Sequence, residues 1–524
     1  MKKRLFNIFF NIHTVAGIFI SAILFVMFFT GTLSFLRDEF IAWERNQPIL
    51  PDNFHKVDFD YLLHYIGTVE NLDNRNLSFE QYYEEEYLLA TLSERLSENS
   101  ESEEKSLGDY FMINYKTASV GDYEEDYSVG ELIYRLHFLA PLNIQGRYGY
   151  MLAGFVSFFF LIVLMTGIYI HWDKMISHFY VFRATAKWKT IWTDSHITMG
   201  FIGLPFQLIY AITGCALLLS ASFFINPAID YLYSKNSDAY YKNTEVTSPI
   251  ELSLSQQRLT NDFSINHLIT NAKELQPDLV WTKLKIDHIN NKNMTVEFVG
   301  HLPYKKDVSS QGLIKFKVES GEILDQVNPE KSFSYSVTVN NILHRLHFGD
   351  FGGYPLKIIF MVLGFLSSYV IISGVMIWYV ARDKKTISPR KRRINFFLTK
   401  LYLSISLALI PIIAMSLIAS KLNNLYFGIT NKAFLYHTFY YGWGVLIIVL
   451  MTLRSFKQIV TSVLILIILF SFIIPLMNGL TNKWIWETLN PTFISIFSVD
   501  FLWCVIGMIS LYALMRLNKQ FILY

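Results

Sequence analysis

Long apolar stretches separated by polar segments dominate the pattern of the chain. A helix needs about 20 mostly apolar residues to cross the hydrocarbon core of a bilayer. Eight stretches meet this requirement, at about 13–36, 149–172, 197–222, 355–380, 397–420, 433–452, 458–478 and 496–515. The pattern predicts an all-α polytopic membrane protein with about eight transmembrane helices.

Two long polar segments, 38–147 and 223–354, interrupt the first four spans. The second contains the alternating stretches "LVWTKLKID" and "MTVEFVG", and then "GLIKFKVESGEILDQV", which has the pattern of two strands joined at a glycine. Such alternation is typical of half-buried strands. We expect each segment to form a small α+β domain outside the membrane, with the acidic stretch "EEEYLLATLSERLSENSESEEK" helical or partly disordered.

The predicted organisation follows from these two patterns. Its six parts are the first transmembrane helix (1–37), the first outer domain (38–147), transmembrane helices two and three (148–222), the second outer domain (223–354), helix four with a basic link (355–395) and a four-helix membrane extension (396–524). Lysine and arginine are concentrated at the N-terminus, after the second span and at 380–400, which contains "RKRR". Basic segments remain in the cytoplasm, so we expect both termini inside the cell and both large loops outside.

The composition agrees with a multi-pass membrane protein and excludes several other classes. Hydrophobic residues make up 52% of the chain and charged residues 17%, which is too apolar for a soluble protein. Cys215 and Cys504 lie within apolar stretches and form neither a disulfide framework nor a zinc motif. No basic patch with interleaved aromatic residues indicates a nucleic-acid partner, so the lipid bilayer is the expected environment.

One spacing occurs twice: a histidine, three residues, a glycine, twelve residues and then Thr-Gly. The copies begin at His13 and His196. Each outer segment also ends in a phrase that contains "LHF", at 136–138 and at 346–348, and the spans that follow carry Gly167 and Gly374 at matching positions. We therefore predict that residues 13–172 and 196–380 form an internal repeat about an axis along the membrane normal.

Six histidines are expected at the membrane edges. Those on the cytoplasmic side are His13, His171 and His196, and those on the outer side are His137, His344 and His347. An ionisable residue near the membrane core is a candidate for function. Anchoring at the interface is the alternative for any one histidine, but placement in both repeats favours a shared role.

Glycines accompany the repeated histidines at helical spacing. In the first copy, Gly17 lies one turn from His13 on nearly the same face, and Gly31 returns to that face near the outer side. Gly200 and Gly214 repeat this arrangement in the second copy. Close helix packing would account for such glycines. A histidine beside a glycine also leaves room for a flat ligand, and its occurrence at both membrane levels favours two b haems, each held by two imidazoles.

A zinc site and a proton relay both fit the histidines less well than haem does. Zinc requires three or four ligands, and a proton relay usually includes aspartate or glutamate within the spans, where we expect essentially none. The symmetry instead predicts that His13 and His196 bind the iron of a cytoplasmic-side haem. It predicts that His137 and His347 bind the iron of an outer-side haem.

Further residues complete the predicted sites. His344 shares a helical face with His347, so the two cannot bind one iron from opposite sides. It occupies the position of a tyrosine in the first repeat, and we expect it to hydrogen-bond a propionate or the substrate. His171 has no counterpart and is a reserve ligand or an interfacial side chain. Arg147 and Lys357 lie near the outer level, where they either face haem propionates or anchor the interface.

The "H…G…TG" spans, the "LHF" helices and the ending "SGEILDQV" resemble the PepSY-associated transmembrane family over roughly residues 5–385. The resemblance implies PepSY-like outer domains and a four-helix core. One branch of this family comprises inner-membrane ferric-siderophore reductases that carry two b haems. By this resemblance, His13, His137, His196 and His347 match the histidine positions of the family.

Two features depart from the family pattern. The second span ends in "TGIYIHW" rather than "TG-x-x-x-W", so whether His13 or His171 binds the inner haem stays open. Four spans follow residue 395 and contain a single histidine, His437. A structural or partner-binding role is expected for this extension.

The sequence thus predicts a haem-dependent electron-transfer protein of a bacterial inner membrane. Electrons would pass from quinol or a separate reductase to an extracytoplasmic acceptor, for which the resemblance implies a ferric siderophore or other chelated iron. No catalytic residue is assigned. A separate donor is needed because the sequence contains no GxGxxG dinucleotide fingerprint. The alternatives are a non-redox PepSY protein that binds peptides or regulates a peptidase, and a transporter subunit, which acidic residues within the spans would favour.

Overall fold

The computed structural model describes residues 3–49, 54–81, 87–93, 110–114, 119–121, 123–172, 183, 188–236, 240, 248–330, 335–428 and 431–522. These residues form a bundle of long helices and an antiparallel β-sheet. Most of the basic link after the second span, and most of the acidic stretch in the first segment, lie outside the described residues.

The helices of the described residues are numbered here in chain order. They are α1 (Lys3–Ser34), α2 (Arg37–Arg45), α3 (Phe59–Val69), α4 (Val129–His137), α5 (Tyr148–His171), α6 (Trp188–Ser220), α7 (Asn226–Leu232), α8 (Ile265–Leu275), α9 (Tyr335–Phe348), α10 (Gly353–Arg382), α11 (Pro389–Phe427), α12 (Lys432–Thr452), α13 (Phe456–Thr481) and α14 (Ile494–Ile522). Eight of them, α1, α5, α6 and α10 to α14, are long and apolar enough to cross a membrane. Within the described part of the chain, the predicted number of spans is confirmed.

Two groups of spans make up the bundle. In the first, α1 and α6 each pack against both α5 and α10, so the helices that carry His13 and His196 lie diagonally across a four-helix ring. In the second, which we call the C-terminal extension (α11–α14), α11 packs against α12 and α13, and α13 packs against α14. The extension meets the rest of the molecule where α11 contacts α1, α2, α4 and α10 and where α14 contacts α2.

Local sequence determines several helix ends in the extension. The side chains of Asn431 and Ser455 cap α12 and α13 by accepting hydrogen bonds from Phe434 N and Gln458 N. These residue types are preferred at such positions because their oxygens satisfy backbone N–H groups that have no partner within the helix. At the end of α11, Gly428 has φ 97°, a value that favours glycine.

Within the described residues the sheet has eight strands, and each pairs with one or two antiparallel neighbours. They are β1 (Leu77–Glu80), β2 (Tyr87–Leu92), β3 (Tyr110–Asn114), β4 (Ser119–Gly121), β5 (Val280–Asp287), β6 (Thr295–His301), β7 (Gly312–Lys317) and β8 (Ile323–Val327), in the order β4-β3-β2-β1-β5-β6-β7-β8. Strands β5 to β8 lie in the stretches that the sequence predicted as strands. Because β1 pairs with β5, the two segments that we predicted as separate outer domains contribute to one sheet.

Strand β2 corrects the prediction for the acidic stretch, which we expected to be helical or partly disordered. Its residues 87–92 pair with β1 on one side and β3 on the other. Leu88, Ala90 and Leu92 are buried on one face. Burial of this face and pairing with two neighbours decide the conformation, because strand preference depends on packing more than on local composition.

Helices α3 and α8 link the two halves of the sheet region. Asp60 of α3 accepts hydrogen bonds from Ser264 Oγ and Ile265 N at the start of α8, both at 2.6 Å. In return, Asn266 Oδ1 of α8 accepts a hydrogen bond from Phe59 N at the start of α3, at 2.9 Å. Each helix start is thus completed by a side chain from the other segment.

Candidate functional site

The two ends of the four-helix ring each hold one pair of histidines. We call the end at which α1 and α6 lead into the strand-bearing segments the sheet end, and the other end the far end. At the far end, the imidazole centroids of His13 and His196 lie 6.5 Å apart, with the ring planes at 83°. At the sheet end, the centroids of His137 and His347 lie 5.8 Å apart, with the planes at 34°. The carbonyl of Met27 contacts His137, and at about 1.5 Å per residue Met27 lies about 20 Å along α1 from His13.

The two far-end imidazoles are held in the same way by neighbouring helices. His13 Nδ1 lies 2.9 Å from Val163 O of α5, and His196 Nδ1 lies 3.0 Å from Val370 O of α10. A carbonyl oxygen only accepts hydrogen bonds, so each Nδ1 carries the proton and each Nε2 keeps a free lone pair. A contact of this kind orients an imidazole for metal binding.

Glycine allows each far-end imidazole to lie against a neighbouring helix. A Cβ atom at Gly167 of α5 would lie 3.1 Å from His13 Cε1, and one at Gly374 of α10 would lie 3.2 Å from His196 Cε1. Both distances are shorter than ordinary van der Waals contact. The sequence singled out these two glycines only as markers of the repeat, but they determine how closely the rings approach α5 and α10.

The four glycines predicted to leave room for a cofactor have different surroundings. At Gly17 an added Cβ atom would meet nothing within 4 Å, and at Gly200 the nearest atom would lie 3.9 Å away. The space is therefore open at Gly17, whereas a Cβ atom at Gly200 would make ordinary van der Waals contact with Val370. At the sheet end, Gly31 faces the imidazole of His137, with Cε1 2.5 Å from the added Cβ, and Gly214 faces a serine hydroxyl of α5 at 2.7 Å.

The two sheet-end imidazoles are held by different groups. His137 is the last residue of α4, and its Nδ1 lies 2.8 Å from Met27 O of α1. His347 lies in the last turn of α9, and its Nδ1 lies 2.8 Å from Thr213 Oγ1 of α6. Thr213 donates its own hydroxyl proton to Ile209 O at 2.8 Å, so its oxygen accepts a hydrogen bond from His347. Both Nε2 atoms therefore keep their lone pairs.

Burial keeps both sheet-end imidazoles neutral. It lowers the pKa of His137, although the hydrogen bond to Met27 O opposes this effect. Burial, together with the neighbouring His137 and His344, lowers the pKa of His347 to about 3. Neutral imidazole is the form that binds a metal, so both side chains are available as ligands at neutral pH.

A cavity of about 290 Å³ adjoins the sheet-end pair. The predicted site residues among those that line it are His137, His344, His347, Gly31, Gly214 and Arg147. Most of the remaining wall consists of apolar and aromatic side chains, and the Arg147 guanidinium lies 5.4 Å from the ring centroid of Tyr150. The cavity therefore combines three imidazoles, apolar walls and a positive charge.

His344, His171 and Lys357 are the other predicted residues, and each contacts different groups. The ring of His344 stacks on Phe348, with centroids 6.3 Å apart. His171 ends α5 and lies close enough to the far-end pair to interact with it electrostatically. Lys357 forms an ion pair with Glu39 at 2.8 Å, which gives it a structural partner at the sheet end. The ligand and propionate roles of these residues stay predictions.

The donor sets fit a metal whose remaining ligands come from a macrocycle. In the described part of the chain, no group of three or more histidine, cysteine, aspartate or glutamate residues could hold a metal ion. A metal–imidazole bond is about 2 Å long, so one metal between two imidazoles separates the ring centroids by on the order of 6 Å. The centroid separations of the two pairs, 6.5 Å and 5.8 Å, agree with this value. Histidine is also a common axial ligand of haem iron, so the residues present fit haem at both levels.

Asp500 and Lys421 are among the charged residues within the spans that the sequence reasoning missed. Asp500 of α14 is completely buried, and Lys421 of α11 is 2% exposed. Asp500 corrects our expectation that the spans contain essentially no acidic residues. Hydropathy averaged over a whole span conceals a single charge, so a residue-by-residue inspection of the last four spans would have found both.

Comparison with known proteins agrees with the arrangement of the four-helix ring. The family model of the PepSY-associated TM region matches residues 10–381, which include both histidine pairs. The chain belongs to this PepSY-associated transmembrane family. The resemblance seen in the sequence is thereby confirmed at the level of the family. No curated protein sequence matches the chain, and the C-terminal extension of this PepSY-associated protein follows the matched region.

Proposed function

We propose that this PepSY-associated membrane protein is a di-haem b electron-transfer protein of the bacterial inner membrane. In this role it moves electrons from quinol or a separate reductase on the cytoplasmic side to an extracytoplasmic acceptor, namely a ferric siderophore or other chelated iron. The observation that carries the proposal is the pair of imidazoles at each end of the ring, with every Nδ1 engaged in a hydrogen bond.

Basic residues support the direction of electron flow. α1 begins and α10 ends at the far end, and the "RKRR" sequence at 390–393 begins α11 at the same end. Segments rich in lysine and arginine stay in the cytoplasm, so the far end faces the cytoplasm in this proposal and the sheet end faces the outside. The far-end pair then lies nearer the donor, and the sheet-end pair lies nearer the acceptor.

Corresponding contacts in the two halves support an internal repeat with two PepSY-like domains. Val163 O and Val370 O hold the far-end imidazoles, and Gly167 and Gly374 lie against them. Each outer segment contributes one helix followed by four strands, α3 with β1 to β4 and α8 with β5 to β8. The central β1–β5 pair then joins the two domains.

The four paired histidines and Arg147 have specific roles in this proposal. Bound haem supplies one-electron transfer. His13 and His196 hold it at the far end, and His137 and His347 hold it at the sheet end, where their Nδ1 hydrogen bonds fix the tautomer and the ring orientation. Arg147 offers a positive charge for a propionate. One electron converts the chelated Fe(III) to Fe(II), which a siderophore holds more weakly.

Optical spectroscopy of the full-length protein tests the proposal. Protein purified in detergent after expression with ample haem is expected to show two low-spin b haems per chain, counted from the oxidised and reduced spectra. Reduced protein should then be reoxidised by a ferric siderophore with formation of Fe(II). A colourless protein would contradict the haem proposal, and a haem-loaded protein that no ferric chelate reoxidises would contradict the acceptor.

Thr213→Val is expected to weaken haem binding at the sheet end. The substitution removes the oxygen that accepts a hydrogen bond from His347 Nδ1, and loss of such a contact typically lowers metal affinity about 10- to 100-fold. Thr30→Val is the matched control, because the Thr30 hydroxyl donates to Val26 O of its own helix. Haem titration of haem-depleted protein measures both affinities, and equal losses in the two variants would contradict the role of Thr213.

A transporter subunit is the second candidate function, favoured by the buried charges Lys421 and Asp500 within the spans. Such charges often mark the path of an ion or substrate. Haem content separates the two candidates, since a transporter of this kind needs none.

A further inference from the structure

Helix α2 lies between α4, which carries His137, and the C-terminal extension. Its residues Trp43 and Glu44 are buried, as are Lys421 of α11, Asn478 of α13 and Asp500 of α14. Hydrogen bonds link Trp43, Lys421, Asn478 and Asp500 to one another, and beside them Glu44 forms a hydrogen bond with Ser420, the neighbour of Lys421 in sequence. We call these six residues the α2 cluster. The cluster contains one basic and two acidic side chains.

Lys421 is protonated in this cluster. Its Nζ donates hydrogen bonds to Trp43 O at 2.8 Å, Asn46 Oδ1 at 2.8 Å and Asn478 Oδ1 at 2.9 Å. Three acceptors require three N–H donors, which only the ammonium form has. The Nζ atom also lies 4.0 Å from the ring centroid of Trp43, a contact that favours the charged form.

Asp500 provides the charge that balances Lys421. Its Oδ1 accepts a hydrogen bond from Trp43 Nε1 at 2.8 Å, and its Oδ2 accepts one from Asn478 Nδ2 at 2.7 Å. Both partners are donors only at these atoms, so both carboxylate oxygens act as acceptors, which is the pattern of an ionised group. The amide of Asn478 bridges the two charges because its oxygen faces Lys421 and its nitrogen faces Asp500.

Glu44 is left as a second carboxyl without a cation of its own. Its Oε2 accepts a hydrogen bond from Val129 N at the start of α4, at 2.9 Å, and its Oε1 contacts the Ser420 hydroxyl. A serine hydroxyl either donates or accepts, so the contact with Ser420 is compatible with a proton on Glu44. An uncompensated charge in a buried site is costly, and burial raises the pKa of Glu44.

Charged groups on the neighbouring elements already have other partners. Arg45 of α2 donates to Asp126 O at 2.7 Å and lies 4.5 Å from the ring centroid of Tyr87. On α4, Glu131 is held between Arg37 and Arg135. Burial has the largest effect on the pKa of Glu44 and raises it, whereas the charges of Arg45 and Lys421 act from a distance and oppose this rise.

Glu131 shows what a buried carboxylate near Glu44 needs to stay ionised. Two guanidinium groups and the Tyr123 hydroxyl donate to it. Although burial opposes ionisation, the charges of Arg37 and Arg135 hold its pKa at about 2. Glu44 has one backbone N–H and one serine hydroxyl in their place.

We propose that Glu44 binds a proton at neutral pH and that the C-terminal extension completes this proton site with Ser420, Lys421, Asn478 and Asp500. The proposal assigns the extension a part in proton binding, which is separate from the haem sites and does not depend on them. Val129, which donates a hydrogen bond to Glu44, is the first residue of α4, and His137 is the last. Gain or loss of the proton therefore changes a hydrogen bond at the start of the helix that carries a sheet-end imidazole.

Infrared spectroscopy of the full-length protein tests this site without reference to haem. At neutral pH the wild-type protein is expected to show the C=O band of a protonated carboxyl group, and Glu44→Gln should remove it. Ser420→Ala should retain the band but shift it to higher frequency, because the carboxyl group loses a hydrogen-bond partner. A wild-type spectrum without the band, or a band that survives in Glu44→Gln, would overturn the proposal.

Thermal unfolding provides a second measurement on the same variants. A carboxyl group whose folded-state pKa is raised contributes stability that is complete below its ordinary pKa near 4.3 and is lost as pH rises through the folded-state value. Glutamine resembles the protonated form, so the difference in Tm between Glu44→Gln and wild type should grow in favour of the variant as pH rises from about 5 to about 9. A difference that stays constant over this range would overturn the proposal.

Discussion

In the proposed di-haem protein, His347→Ala is expected to leave one b haem per chain instead of two. The imidazole lies opposite that of His137, with centroids 5.8 Å apart, and its Nδ1 is fixed by Thr213. Without it, one of the two residues that would hold the sheet-end haem is lost, while the far-end pair, about 20 Å away along the helices, is untouched. The reduced-minus-oxidised spectrum and the haem-to-protein ratio measure the loss.

His344→Ala is the matched control for this prediction. His344 lines the same cavity one turn earlier on the same helix, but its ring stacks on Phe348. The variant should keep both haems, with at most a change in the potential of the sheet-end haem or in the rate of reaction with ferric chelates. If His344→Ala loses a haem and His347→Ala keeps two, the assignment of the ligand is wrong.

Lys421→Met is expected to lower the free energy of unfolding by about 3–5 kcal/mol, because removal of one partner of a buried charge pair leaves the other uncompensated. Lys421 is 2% exposed, and Asp500, which it approaches through Asn478, is fully buried. The variant also loses the three hydrogen bonds of the ammonium group, which go to Trp43 O of α2, to Asn46 Oδ1 and to Asn478 Oδ1 of α13. Thermal or denaturant-induced unfolding in detergent measures the change.

The double variant Lys421→Met with Asp500→Asn separates the effect of charge from that of packing. Asparagine still accepts a hydrogen bond from Trp43 Nε1 but carries no charge, so much of the lost stability should return. A double variant as unstable as Lys421→Met alone would show that the ammonium group acts through its hydrogen bonds and not through its charge.

The span helices could be predicted from the sequence because their signal is local. About 20 consecutive apolar residues suffice to cross a bilayer, and each of the eight stretches carries this information by itself. The same holds for strands β5 to β8, in which apolar and polar residues alternate, and for the turn at Gly321, where φ is 68°. The spacing of the histidines also identified the two imidazole pairs that the structure brings together, because it recurs along the chain.

Partners distant in sequence could not be predicted in the same way. The strand at 87–92 lies in an acidic stretch, and only its pairing with β1 and β3 and the burial of Leu88 and Ala90 make it a strand. Joining β1 to β5 in one sheet likewise depends on contacts between residues about 200 positions apart. The carbonyl or hydroxyl that orients each imidazole comes from a different helix, so spacing along one helix does not reveal it.

The sequence by itself determined the membrane class, the eight spans, the family and the histidines that belong together, because hydropathy and motif spacing are properties of consecutive residues. Only the tertiary structure decided that Gly167 and Gly374 lie against the far-end imidazoles, that Thr213 holds His347, and that Glu44 joins Lys421 and Asp500 in one buried cluster. In each of these cases, groups removed from solvent are stabilised by hydrogen bonds or packing contacts with atoms that are distant in the sequence. Such contacts exist only in the folded chain.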